Sequence, residues 1–239
     1  MAGSELAKER EAIRPLLSRS DPGDALTVYY ALHHPPALTR LHMQRDAGGL
    51  VNGFLATCTT GADLFRPLAV MRAQADDVLR SLLRQGLVRG RPYHFVVPLR
   101  YASTLEEELK LSEVHVGMIL ALDPARLQPI VNVLVVLAQG ASGGLRFEIR
   151  SQGRVMAASG TNWRSPDYAE IYVYSEPEAR GRGWAESVAS ACTATLLAEG
   201  VQPLYVVAEG EVASSRLAVA LGYRDTGGKE FIASGVLEK

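Results

Sequence analysis

The residues of this 239-residue chain whose types and spacing could do chemistry are concentrated between Asn162 and Tyr223. The run Arg180-Gly-Arg-Gly-Trp-Ala185 brackets two glycines with two arginines, between a strand-like segment, Ala169 to Tyr174, and the start of a helical one. Glycine reaches left-handed backbone angles closed to other residues, so a chain containing Gly181 and Gly183 can wrap closely around an anion. The first turn of a following helix leaves N–H groups without intrahelical partners, and their dipoles favour negative charge. Arg180 and Arg182 add full positive charge. The chemistry this loop predicts is phosphate binding; the plain alternative is an ordinary glycine-containing helix entry with solvated arginines.

Other motifs fail on inspection. Gly140-Ala-Ser-Gly-Gly144 has the G-x-S-x-G form of a nucleophile elbow, but a β-like segment, Arg146 to Arg150, follows where that motif needs a helix. His33, His34, His42, His94 and His115 all precede Ser142, so the chain order of a hydrolase triad cannot be completed. His33 and His34, before Pro35 and Pro36, read as loop residues. Gly181-x-Gly183 lacks the third glycine of a dinucleotide fingerprint, because Glu186 stands there. There is neither a P-loop nor an HExxH helix, and the sequence predicts no metal site. Cys58 and Cys192 form no disulfide framework and no CxxC pair, which points to a reducing, cytoplasmic compartment.

Composition narrows the classes. Hydrophobic residues make up 47%, charged residues 21%, and the formal net charge is -1, as expected of a globular chain with a sizeable core. Near-neutrality argues against nucleic acid as a partner. Lysine is scarce (Lys8, Lys110, Lys229 and Lys239), so nearly all fixed positive charge is guanidinium, suited to gripping phosphate or carboxylate. The most apolar stretch, Ile130 to Ala138, is interrupted by Asn132 and falls short of a bilayer span, so no membrane role is expected.

The elements that must position the loop follow from periodicity. An amphipathic helix is expected within Met1 to Ser20, then strands at Ala25–His33, Thr39–Arg45, Leu50–Thr59 and Leu68–Arg72. Asp76–Leu87, with Val78, Leu79, Leu82 and Leu83 at helical spacing, precedes a strand at Tyr93–Val97, a helical segment at Leu105–Leu111 and a strand at Val114–Leu122. Ile130–Leu137 is ambiguous between strand and helical turn. Strands at Leu145–Ser151, Arg154–Thr161 and Ala169–Tyr174 lead to a helix from about Arg182 to Glu199, a strand at Leu204–Ala208, a helix at Ser214–Leu221 and a closing strand at Glu230–Val236. The fold class is α/β with a mixed sheet. The two halves run in similar order, and Arg91 to Val97 echoes Gln202 to Val207, which suggests a divergent tandem repeat divided as residues 1–112 and 113–239.

Arg180-x-x-Gly183-x-Ala185 resembles the acetyl-coenzyme A pyrophosphate loop of the GNAT superfamily of N-acetyltransferases, and Glu211-Val-Ala-Ser-Ser-Arg-Leu-Ala-Val-Ala-Leu-Gly-Tyr223 is similar to the family's N-x-A-S-x-x-L-Y-x-x-L-G-F/Y helix. The resemblance covers about residues 115–239 and implies a GNAT-like fold with the first half as a degenerate copy. It implies that Val173, Tyr174 and Ser175 meet the pantetheine arm and that Arg180, Gly181, Arg182, Gly183, Trp184 and Ala185 hold the pyrophosphate, with Glu211 and Ser214 of the second motif counted among the cofactor contacts. The first half is not expected to bind it, since Ala73-Gln-Ala-Asp-Asp77 has no glycine and puts two carboxylates at a helix start.

The implied activity is transfer of an acetyl group from acetyl-coenzyme A to the amine of a small molecule by direct attack in a ternary complex. Glu170 is the candidate base. The family's usual tyrosine falls on Ala218 and its usual asparagine on Glu211, so the thiolate's proton comes either from another hydroxyl, Tyr174 or Tyr205, with Tyr174 the candidate, or from solvent, as the resemblance to superfamily members without the tyrosine implies. Trp163, in Asn162-Trp-Arg-Ser165, is the candidate acceptor-stacking residue. The departures at 211 and 218 leave open a catalytically degenerate acyl-coenzyme A binding or sensing module. Neither the acceptor nor the oligomeric state is legible.

Overall fold

The structure, a computed structural model, describes residues 2–61, 63, 65–140 and 144–238, with the side chains of 2–4 left aside. Ser142, of the failed elbow motif, lies outside the described residues. The chain divides into two compact units, Met1–Gly117 with Lys229–Lys239, and Met118–Gly228. The expected break after residue 112 falls inside a long strand, and the last residues of the chain return to the first unit.

In the first unit, strands β1 (Thr39–Arg45), β2 (Val51–Cys58), β3 (Leu68–Ala73) and β4 (Pro92–Pro98) lie in sequence order, followed by the end of β11 (Tyr223–Val236). Helices α1 (Ala2–Ile13), α2 (Ala25–Val28), α3 (Asp76–Gly86) and α4 (Ala102–Glu108) complete it. Val78, Leu79, Leu82 and Leu83 bury the apolar stripe of α3 against Leu55, Met71, Phe95 and Leu105. Strand alternation turns Tyr93, Phe95 and Val97 toward that core.

The segment Ala25–His33 is helical, not a strand: α2 continues into a π-helical turn, Tyr29–His33. Its valine, threonine and tyrosines favour strands, but packing overrides propensity, with Ala25, Leu26, Val28, Tyr30, Ala31 and Leu32 all buried. Arg10 of α1 donates to the carbonyls of Ala31 and His34, satisfying acceptors that the helix end leaves open. His34, expected in a loop, is buried with its Nδ1 2.8 Å from the Thr39 hydroxyl.

The second unit holds β5 (Lys110–Leu122, of which Met118 onward lies here), β6 (Val136–Gln139), β7 (Leu145–Ser151), β8 (Arg154–Arg164), β9 (Tyr168–Ser175) and β10 (Gln202–Ala208) in the order β5-β10-β9-β8-β7-β6. Helices α5 (Trp184–Ala198) and α6 (Val212–Ala220) pack Ala189, Cys192, Leu196 and Ala218 against Ile171, Tyr205 and Tyr223. Of the ambiguous stretch Ile130–Leu137 only Val136 and Leu137 are strand. Before them the backbone is held by side chains, Ile130 N–H donating to the Ser190 hydroxyl at 2.8 Å and Leu134 N–H to Asn132 Oδ1 at 3.0 Å. Among the described residues, no helix is long and apolar enough to cross a membrane.

Two features of these strands shape the site. The β6 to β9 pairs are antiparallel, but β9 and β10 are parallel and pair only over Gln202↔Tyr168, Pro203↔Ala169 and Leu204↔Glu170. Beyond Glu170 and Leu204 the two strands part. The β8–β9 register also shifts between Thr161 and Trp163, leaving Asn162 as the extra residue of a β-bulge.

Gly160, one residue before that irregular stretch, sits where a Cβ would come 2.5 Å from the Leu145 carbonyl oxygen and 2.9 Å from the Tyr172 hydroxyl. Backbone cannot yield as a side-chain tip does. Gly160→Ala is therefore expected to cost about 1–3 kcal/mol by overpacking, read as a lower midpoint in urea with an unchanged slope. A midpoint equal to wild type would show that β7 and β8 separate at no cost.

Candidate functional site

The glycine loop folds as its composition requires. Gly181 and Gly183 have φ of 73° and 69°, and Gly183 forms the N-cap of α5 in the left-handed conformation with no side-chain cap. The N–H groups of Trp184, Ala185 and Glu186, too early in the helix for intrahelical acceptors, are left for a ligand. Arg182 lays its guanidinium 5.0 Å from the centroid of the Trp184 ring, a cation–π contact that stiffens the loop.

The loop opens on a cavity of about 510 Å³. Of the residues expected to hold the cofactor, Val173, Ser175, Arg180, Gly181, Gly183, Trp184, Ala185 and Ser214 line it. Arg182, Tyr174 and Glu211 do not. The donor set, two left-handed glycines, an uncapped helix N-terminus and the guanidiniums of Arg180 and Arg216, fits a pyrophosphate, with Glu186 the one carboxylate on the wall. Beyond Glu170, β9 has no partner on its β10 side, so its backbone groups there are open to an extended amide-bearing arm.

Tyr174 is corrected. Alternation puts Ala169, Ile171 and Val173 on the face of β9 that packs against α5 and α6, and Glu170, Tyr172 and Tyr174 on the other. The Tyr174 side chain is exposed, and its hydroxyl donates to Glu176 Oε1 at 2.7 Å. That hydrogen bond pushes the phenol above its ordinary pKa, and none of its side chain reaches the cavity. Tyr205 lines the cavity in its place.

Glu170 and Trp163 form one cluster. Asn162 Nδ2 donates to Glu170 Oε1 at 2.7 Å, and Trp163 Nε1 donates to Oε2 at 2.6 Å. The bulge makes this possible, because it sets Trp163 directly opposite Glu170 and brings both donors onto one carboxylate. Burial pushes the carboxyl above the usual carboxylate range, and the two donors, which favour its ionised form, oppose that only in part. Trp163 is 5% exposed, so it holds Glu170 rather than offering a free face for an acceptor to stack on.

Sequence reasoning missed Ala179, Arg216, Leu217 and Ala220 on the cavity wall. Ala213, Arg216, Leu217 and Ala220 recur at helical spacing, so once α6 was known to face the loop the same stripe would have named them.

Comparison with known proteins agrees with this geometry. Residues 149–232 match the FR47-like protein family. No curated protein is found as a sequence relative. Among solved structures, a GCN5-related N-acetyltransferase-like protein from Streptococcus suis is similar at a TM-score of 0.61 and 14% identity, over 97% of this chain and 99% of that one. A tandem GNAT protein from the clavulanic acid biosynthesis pathway also gives a TM-score of 0.61 at 14% identity, covering 99% of this chain and 96% of that one. A Drosophila protein is similar at a TM-score of 0.70 and 9% identity, over 100% and 98%. The fold is thus that of the GNAT acetyltransferases, α/β with a mixed sheet, in two tandem GNAT-like halves.

Proposed function

We propose that this chain is an N-acetyltransferase that moves the acetyl group of acetyl-coenzyme A to an amine of a small molecule, by direct attack in a ternary complex. The observation that carries this reading is the uncapped, glycine-led N-terminus of α5 opening on a cavity that shares its wall with the parting strands β9 and β10. When bound, the coenzyme supplies an acyl carbon activated as a thioester. Gly181, Gly183 and the first turn of α5 bind its pyrophosphate, with Arg180 and Arg216 adding charge. The open edge of β9 at Val173 and Ser175 orients the pantetheine amides. Glu170 removes the proton from the attacking amine, directly or through water, and Asn162 and Trp163 hold that carboxylate in place. Glu211 stands at the N-cap position of α6 with no side-chain cap bond, and it is off the cavity wall, so it is not assigned to the coenzyme. The two cysteines, both free and buried with thiols pushed up to about 12, suit a reducing cytoplasm.

Thermal unfolding tests the reading. Acetyl-coenzyme A at ~100 times its Kd adds about 2.7 kcal/mol to the native state. For a chain of this size that raises Tm by roughly 5–10 °C, at about 2–4 °C per kcal/mol. Gly183→Glu, which forces a side chain into a left-handed position and sets a carboxylate at the anion site, should abolish the rise while the variant still unfolds cooperatively. Calorimetric titration should give one coenzyme per chain, since Asp76 and Asp77 occupy the first turn of α3. No rise in the wild type overturns the reading, and a rise that survives Gly183→Glu moves the site off the loop.

A further inference from the structure

Acyl transfer from a thioester leaves a thiolate, and a donor within reach of the sulfur must return its proton if the thiol is to leave quickly. The residue where the family's tyrosine would stand, Ala218, is fully buried in the core and carries no donor. Tyr174 points to the opposite face of β9. The cavity wall nonetheless carries a phenol, Tyr205.

Its position is set by the sheet. The last β9–β10 pair is Glu170↔Leu204, so Tyr205 is the first residue of β10 past the point where the strands part. Alternation turns it to the α5/α6 side, where it packs in the same core as Ala189, Cys192 and Ala218. The ring meets Tyr223 edge-on at a centroid distance of 6.0 Å, and Ser214, on the first turn of α6, lines the same cavity. The residue is 7% exposed, so the ring is held by its packing, and it forms part of the cavity wall. Burial raises its pKa, against the smaller effect of Ser214, which keeps it a proton donor near neutrality. The other titratable groups on the wall are Arg180, Glu186 and Arg216. None of these suits the task as well: the guanidiniums hold their protons too tightly, and Glu186 sits at the loop end.

Resting on the transferase reading above, we infer that Tyr205, on the cavity wall where β9 and β10 part, is the general acid of this site, its proton delivered to the departing sulfur. As the amine nitrogen forms its bond to the acyl carbon, the C–S bond breaks with its electron pair on sulfur. The phenolic proton passes to that sulfur to give the free thiol, the amine's surplus proton goes to Glu170, and the phenolate regains a proton from cavity water. The chain thus keeps the chemistry of a tyrosine acid while supplying it from the strand instead of the helix.

The test needs no acceptor. Coenzyme A is bound to the wild type and to Tyr205→Phe, which keeps the ring and its contact with Tyr223, and the thiol is titrated through the ultraviolet absorbance of its thiolate. A hydroxyl that donates to sulfur stabilises the thiolate, so the bound thiol should titrate about one pKa unit higher in Tyr205→Phe, a tenfold change in the thiolate-to-thiol ratio at a given pH. Affinity for desulfo-coenzyme A should be equal in the two proteins. Equal thiol pKa values with intact binding overturn the role of Tyr205 and leave the transferase reading standing. Failure of the wild type to bind coenzyme A overturns both.

Discussion

Replacing Glu170 with Gln should lower kcat by about 100- to 10,000-fold, the range for removing a general base, while leaving acetyl-coenzyme A affinity unchanged. The amide keeps the shape of the carboxyl and can still accept from Trp163, but it cannot take a proton. The residue lies at the last β9–β10 pair, on the face of β9 away from the cavity of the glycine loop, which in the proposed reading places it to meet an amine arriving from the other side of the parting strands. A kcat within a few-fold of wild type would remove Glu170 from the mechanism and leave positioning by the site as the main source of rate.

The pH profile adds a second signature. The base must be ionised, and burial raises its pKa, so kcat/KM should climb through a midpoint above the ordinary carboxylate value of 4.5. Asn162→Ala removes a donor that favours the ionised form and should move that limb further to the alkaline side. Stability carries the opposite sign. The native protein holds the Glu170 proton over a range in which the unfolded chain has lost it, so Glu170 erodes stability as pH rises from 4.5 to its raised value, and Glu170→Gln should flatten that decline.

The contrast between Gly183 and Tyr205 shows where a sequence informs and where it does not. Glycines between arginines at a strand-to-helix junction carry their conformational reason locally, and both adopt the left-handed angles that reason requires. The position of Glu170 on β9 was legible too, because it follows from counting back from the loop. Which face Tyr174 and Tyr205 present was not, because that depends on where pairing with the neighbouring strand begins and ends. The bulge at Asn162 is equally silent in composition, yet it turns Trp163 from a free aromatic into a residue that donates to the Glu170 carboxylate. Ala25–His33 misled for a different reason: its β-branched and aromatic residues have strand propensity, and only a guanidinium from α1 and a buried apolar face make the helical turn the better solution. The division of units was hidden because β11 begins in one and ends in the other, so a single strand crosses the boundary at Gly228.

Asp24→Ala should be the most damaging of the substitutions for folding, costing about 3–5 kcal/mol, the loss expected when one partner of a buried ion pair is removed. Arg72 on β3 is 4% exposed, and its guanidinium meets Asp24 Oδ1 through Nε at 2.7 Å and Nη2 at 2.6 Å. Its remaining donors go to the carbonyls of Gly23 at 2.9 Å and Met71 at 2.7 Å. The carboxylate also accepts from Ser18 N–H at 2.7 Å, so it ties the loop before α2 to β3 while neutralising a charge that water cannot reach. With Asp24 gone the guanidinium keeps its carbonyls but not its counter-charge. Tm should fall by roughly 6–20 °C at about 2–4 °C per kcal/mol. Adding Arg72→Met to Asp24→Ala removes the stranded charge and should recover much of the loss, since a buried pair replaced by apolar groups is often near neutral. If Asp24→Ala costs under about 1 kcal/mol, the pair behaves as a solvated one. If the double variant is no better than the single, the hydrogen bonds to Ser18, Gly23 and Met71, and not the charge, hold this face of the first unit together.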